Sequence, residues 1–201
     1  MDMNQTHLKG ALDRIIADLP AIEQELNAAD AKLGDGDTGG MFARVIGAMH
    51  AAEVPSNSDL GATLSAYARA TAAATGSSLG TLIATAMLTI AKQTKGRMEI
   101  EWSELGPLLE QARDAMSARG GATLGDKTVL DALDAVARAI KGLSDPATVH
   151  SAAQAAAVAT LEDFRNRPNK IGRARMFAEA SIGHDDPGML AVVRVIQAIG
   201  R

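Results

Sequence analysis

The chain has 201 residues with a net charge of -4, and its 24 acidic and 20 basic side chains are interspersed, which removes any electrostatic case for nucleic acid or an anionic membrane. With no cysteine, disulfides and thiol chemistry are out. Three Phe, one Tyr and one Trp among abundant alanine favour close-packed helices over a β-sandwich.

At this length one core is affordable, and no linker composition interrupts the chain, so 1–201 reads as a single domain. The start, Met1 to Thr6, lacks the basic and apolar regions of a signal peptide, and no apolar run reaches the ~18 residues of a membrane span. The expected location is cytoplasmic.

The first helical pattern carries Leu8, Leu12, Ile15 and Leu19, meets Pro20 as a kink or break, and resumes with Ile22 and Leu26 up to Asp30. A second helix is expected from Met41 to Glu53, stopped by Pro55. Ser58 or Asp59 is placed to cap a third, which bears Leu60, Leu64 and Tyr67 and ends near Gly76. The fourth, Leu79 to Lys95, is apolar on most sides and is expected deep in the bundle. Trp102 to Ala118 makes a fifth. The sixth shows Val129, Leu133, Val136 and Ile140 at helical spacing. The alanine-rich run from Pro146 to Phe164 makes the seventh, and Pro187 to Ile199 the eighth. No strand pair is evident. Short links between eight helices force neighbours antiparallel, so the fold is read as all-α, an eight-helix up-and-down bundle or barrel.

If the helices alternate in direction, the links one-two, three-four, five-six and seven-eight open on the same end. All four are glycine-rich: Asp30–Gly40, Thr75–Ser78, Arg119–Asp126, and Ile171 through Gly188. Together they hold acids, small hydroxyls and Arg173, as a binding site built on a rigid scaffold does. The first holds Asp30, Asp35 and Asp37 among four glycines. Carboxylates folded together repel, by roughly 4 kcal/mol per pair at 4 Å and an effective dielectric near 20, and a hard divalent cation relieves this. Asp37 could equally cap the next helix. An EF-hand is excluded, since its twelfth position would be Ile46.

Thr75-Gly76-Ser77-Ser78 precedes a helix, as a phosphate cradle or as an ordinary Ser cap. Gly120 and Gly121 either admit a flat ligand or end the fifth helix. Asp126 is read as the N-cap of the sixth. Arg173 is either a grip for phosphate oxygens or a surface charge, and His184 orders its own turn. There is no P-loop, dinucleotide fingerprint or nucleophile elbow.

Four stretches in order resemble the L subunit of dihydroxyacetone kinases: Asp30-x4-Asp35-Gly-Asp37, Gly76-Ser77-Ser78, Gly125-Asp126-Lys127-Thr128-Val129-Leu130-Asp131-Ala132-Leu133, and Gly172-Arg173-Ala174 leading to Ser181-Ile182-Gly183-His184-x-Asp186-Pro187-Gly188. The resemblance implies a helical barrel in which Asp30, Asp35 and Asp37 hold two magnesium ions bridging the phosphates of ATP or ADP. It places Thr38, Gly39, Gly40, Met41, Gly76, Ser77 and Ser78 around phosphates and nucleoside. Gly120 or Gly121 and Val129 or Leu130 would line the base pocket, and Arg173, Asp186, Pro187 and Gly188 would close the site. It also implies a separate K subunit carrying the keto-sugar on a histidine, and in one working mode a phosphocarrier (M subunit) of the phosphotransferase system that recharges bound ADP. A homodimer is a further possibility. Thr38 and Met41 depart from the family pattern, where His and Asn are common. From a different class, the residues also suit a non-catalytic helical module or adaptor.

Overall fold

The structure is a computed structural model and describes residues 2–172, 175–176 and 178–200. The described residues form α1 (Gln5–Asp30), α2 (Thr38–His50), α3 (Leu60–Ala74), α4 (Ser78–Gln93), α5 (Leu105–Gly120), α6 (Val129–Ile140), α7 (Pro146–Arg165) and α8 (Pro187–Ile199). Each helix packs on its neighbours in sequence, and α8 returns to pack on α1, which closes the ring into the expected all-α barrel. No helix among the described residues is long and apolar enough to cross a membrane.

The main core lies on one side of the ring. Leu12, Ile15, Ile22 and Leu26 of α1 meet Phe42, Val45 and Ile46 of α2, with Val136 and Ile140 of α6, Leu161 of α7 and Met189 and Val193 of α8. This stripe carries α1 through Pro20, which falls on its exposed side, so the helix does not break there. α4 departs from expectation. Only Gly80, Ala84 and Ala91 are buried in it and Leu88 is exposed; Leu79, Ile83 and Met87 are partly buried against the core, while Leu79, Thr81 and Leu82 border an open cleft.

The two ends of the barrel differ. One is closed by a feature too short for the sequence to reveal, an antiparallel pair of β1 (Met3–Asn4) and β2 (Glu99–Ile100), with Met3 opposite Ile100. There Asn4 caps α1, the Gln5 amide donates to Pro55 O at 2.8 Å, and Leu60 N donates to Arg97 O at 2.8 Å. Three helical hairpins are pinned at this same end. A Cβ on Gly61 would stand 2.6 Å from Ala91 O, one on Gly106 would stand 3.0 Å from Ala137 O, and one on Gly200 would strike the His150 ring. The starts of α3, α5 and α7 therefore press directly on the ends of α4, α6 and α8.

Gly61→Ala, which forces backbone against backbone, is expected to destabilise the fold by about 1–3 kcal/mol. Gly47, inside α2 with open space around its Cβ position, gives the contrast: Gly47→Ala is expected to stabilise by about 0.5–1 kcal/mol. Urea unfolding followed by circular dichroism checks both signs.

Candidate functional site

The alternation of helix direction puts the starts of α2, α4, α6 and α8 at the end opposite the β pair, and these starts surround one cleft of about 730 Å3. That volume suits a ligand of several hundred daltons. Each helix start brings a positive dipole end to the cleft, which predisposes it to an anion.

The first wall is the turn between α1 and α2. Asp30 ends α1, and its carbonyl accepts from Gly34 N at 2.6 Å, which tightens the chain into a hook. A side chain at Gly34 would overlap the Asp30 carboxylate, and Gly36 turns with φ +75°. Asp30 Oδ2 then accepts from Asp37 N at 3.0 Å and Thr38 N at 3.2 Å. The carboxylate of Asp30 thus caps α2 from across the turn, while Asp37 stands at the N-cap position and makes no side-chain cap bond. The alternative role for Asp37, as the cap of α2, is removed by this geometry. One carboxylate oxygen from each of Asp30, Asp35 and Asp37 lies within 4.8 Å of the others, with Asp30 half-buried and the other two exposed. Three such oxygens at that spacing are an oxygen donor set for a hard cation.

α2 begins at Thr38, three residues earlier than the sequence suggests. Gly39 is the reason: a Cβ there would come 2.0 Å from Glu23 O, so the glycine lets α2 lie against the α1 backbone. Gly40 N donates to Asn27 Oδ1 at 3.2 Å, again toward α1. Neither Gly39 nor Gly40 lines the cleft, whereas Thr38 and Met41 do.

Gly76, Ser77 and Ser78 line the cleft at the head of α4, where Ser77 Oγ accepts from Gly80 N at 3.0 Å. Gly120 lines it too, close against Leu82, while Gly121 does not and instead ends α5 in the left-handed conformation at φ +76°. Val129 and Leu130 open α6 in the same wall. The cap of α6 is Thr128, not Asp126. Asp131 reaches back to accept from Thr128 N at 2.8 Å, and Asp126 instead accepts from the Thr123 amide and hydroxyl. A capping box read three residues from an apolar start, Thr128 to Asp131, is the signal that identifies this boundary.

Asp186, Pro187 and Gly188 close the cleft at the head of α8. Asp186 Oδ1 caps the helix by accepting from Met189 N at 2.9 Å, and Oδ2 accepts from Asn169 Nδ2 at 3.1 Å. Burial pushes the Asp186 carboxyl up to about 6, against the opposing pull of these bonds and of Lys127. Gly188 is pressed on Val129, with a Cβ position 3.3 Å from that side chain. Arg173, the one cation assigned to the site from sequence, lies outside the described residues. Asn169, Leu82 and Ile171 line the cleft and were not singled out by motif; an apolar or amide side chain in a loop carries no such signal.

Residues 32–201 match the family model of the DAK2 domain. The chain is 28% identical to the PEP-dependent dihydroxyacetone kinase, ADP-binding subunit DhaL, of Escherichia coli (strain K12), covering 99% of this chain and 97% of that protein. It is 30% identical to the triokinase/FMN cyclase of Mus musculus over 94% of this chain, and spans only 33% of that relative's length. The crystal structure of the dihydroxyacetone kinase from C. freundii in complex with AMP-PNP and Mg2+ superposes with a TM-score of 0.73 at 27% identity, covering 98% of this chain and 34% of that one.

The raised Asp186 carboxyl fixes the sign of a pH effect. Its proton is held more tightly in the fold than in the unfolded chain, so its contribution to stability is full below about pH 4 and is lost as pH rises through about 6. Asn retains the capping function. Asp186→Asn is expected to remove this fall, so that the difference in urea midpoint between variant and wild type grows from pH 4 to 7 in favour of the variant.

Proposed function

Because this chain belongs to the DAK2 domain family, we propose that it is the nucleotide-binding, phosphoryl-transferring L subunit of a kinase for dihydroxyacetone or a related ketose such as erythrulose, formed as one domain over 1–201. The observation that carries this reading is the meeting of three convergent carboxylates with four helix starts on one cleft. Fold alone would not carry it. The match over nearly the full length of the E. coli ADP-binding subunit supports the nucleotide-binding reading.

In this reading Asp30, Asp35 and Asp37 hold two magnesium ions, which when bound would offset charge on the β- and γ-phosphates. The amides and hydroxyls of Ser77 and Ser78 receive phosphate oxygens at the head of α4, and Thr38 and Met41 border them. Gly120, Leu82, Val129 and Leu130 supply an apolar slot for the base. Asp186 to Gly188 close the far side, and the resemblance gives Arg173 a part in that closure. Phosphoryl transfer asks for position and charge balance more than covalent chemistry. The acceptor hydroxyl arrives on a separate K subunit docked over the rim. L-erythrulose kinase of Pectobacterium atrosepticum, 30% identical over 96% of this chain, supports keeping related ketoses in the substrate class. The donor is ATP, or ADP recharged by a phosphocarrier; ADP that survives gel filtration would favour the second.

Even partners outside a metal's own ligands cost roughly 10–100-fold in affinity when changed, so losing a ligand carboxylate is expected to cost at least about 100-fold. Asp35→Asn should therefore abolish magnesium-dependent ADP binding in a calorimetric titration while leaving helicity intact by circular dichroism. Unchanged affinity for MgADP would remove the three carboxylates from the site, and a wild-type chain that binds no MgADP would leave the adaptor reading standing.

A further inference from the structure

We infer that Lys127 is the positioning residue of the cleft: its buried side chain holds the cleft-wall residues Asn169 and Asp186 in register with the start of α6. The inference rests on the nucleotide-binding reading above, and it assigns a role to a residue that neither holds the metal nor lines the cleft.

Lys127 is only 1% exposed, which is rare for a lysine. Its ammonium has three N–H donors and uses each on a main-chain carbonyl: Arg167 O at 2.8 Å, Ser181 O at 2.9 Å and Arg165 O at 3.1 Å. Arg165 ends α7, and Arg167 and Ser181 lie on the two arms of the long connection that follows it. One cation therefore fastens the two arms together and ties both to the head of α6. Ordering the backbone of a connection that long loses conformational entropy, which fixed contacts must offset. The backbone of Lys127 itself is left-handed at φ 61°, a conformation that strains a non-glycine residue and persists where its surroundings enforce it.

The tie continues to the cleft. Asn169, also buried, donates from its side-chain amide to Lys127 O at 2.8 Å and to Asp186 Oδ2 at 3.1 Å. Its main-chain N–H donates to Ser181 Oγ at 2.8 Å. Lys170 N donates to Asp126 O at 3.1 Å, and Gly183 N to Arg165 O at 2.8 Å. Every member of this knot is satisfied within the protein, and Asp186 and Asn169 stand in the cleft wall at its end. Burial lowers the affinity of Lys127 for its proton, and Asp186 and Asp185 counter that. The acid turn of α1 and α2 shares none of these bonds.

This separation supplies the test. In the full-length protein, Lys127→Met is expected to weaken MgADP binding roughly 10–100-fold, the range for partners that hold other ligand-binding groups in place. Binding of Mn2+ alone, read by electron paramagnetic resonance at the Asp30, Asp35 and Asp37 turn, should stay within about twofold of wild type. A merely structural lysine would move both together or neither. If Lys127→Met loses cooperative unfolding, Ser181→Ala, which trims the knot without lining the cleft, must show the same split. MgADP affinity unchanged in a folded variant, or Mn2+ affinity falling in step with it, overturns the inference. Wild type binding Mn2+ but not MgADP would overturn the nucleotide reading itself, and with it the role given to Lys127.

Discussion

Three carboxylates whose oxygens come within 4.8 Å of one another are a source of repulsion that the rest of the mouth must contain. At an effective dielectric near 20, a pair at 4 Å repels by roughly 4 kcal/mol. The chain contains it in two ways. Asp30 spends one oxygen on the amides of Asp37 and Thr38, so part of its charge stabilises the start of α2. The positive ends of four helices face the same space. Gly34 and Gly39 complete the arrangement, because the hook and the contact between α1 and α2 leave no room for a side chain at either position.

The opposite wall follows the reverse logic. A cation, Lys127, is withdrawn from solvent and surrounded by carbonyl oxygens, and it is neutral groups, Asn169 and Ser181, that relay its hold to Asp186. The exposed acid turn has donors facing outward to a ligand, whereas the lysine knot has its bonds completed internally. Removing a member of such an internal network leaves buried polar groups unpaired, which costs more than the bonds themselves contribute.

Much of this was legible in the sequence because it depended on period and punctuation. The helical spacing of Val129, Leu133, Val136 and Ile140 marks α6, and alternation of direction alone gathers four glycine-rich links at one end. What escaped depended on contacts distant in sequence. Gly39 and Gly40 look like loop residues until α1 is beside them. The pairing of Met3 with Ile100 spans two residues per strand, too few for any alternation to show. Gly121 has no partner but its own helix end, which nothing local distinguishes from a ligand-facing glycine. Lys127 reads as a surface charge in any local window, since only the long connection folding over it makes it a buried one.

The glycine contacts of Gly61, Gly106 and Gly200 at the β-pair end have an architectural consequence. Each hairpin is anchored where its two helices meet backbone to backbone or backbone to ring, and the tip of α3 and α4, which takes no part in the Lys127 knot, can change composition without loosening that knot. A scaffold of this kind lets specificity drift in that tip while the foundation stays constant. Retargeting such a protein to a new small molecule then begins with exchanging that one cap on fixed pillars.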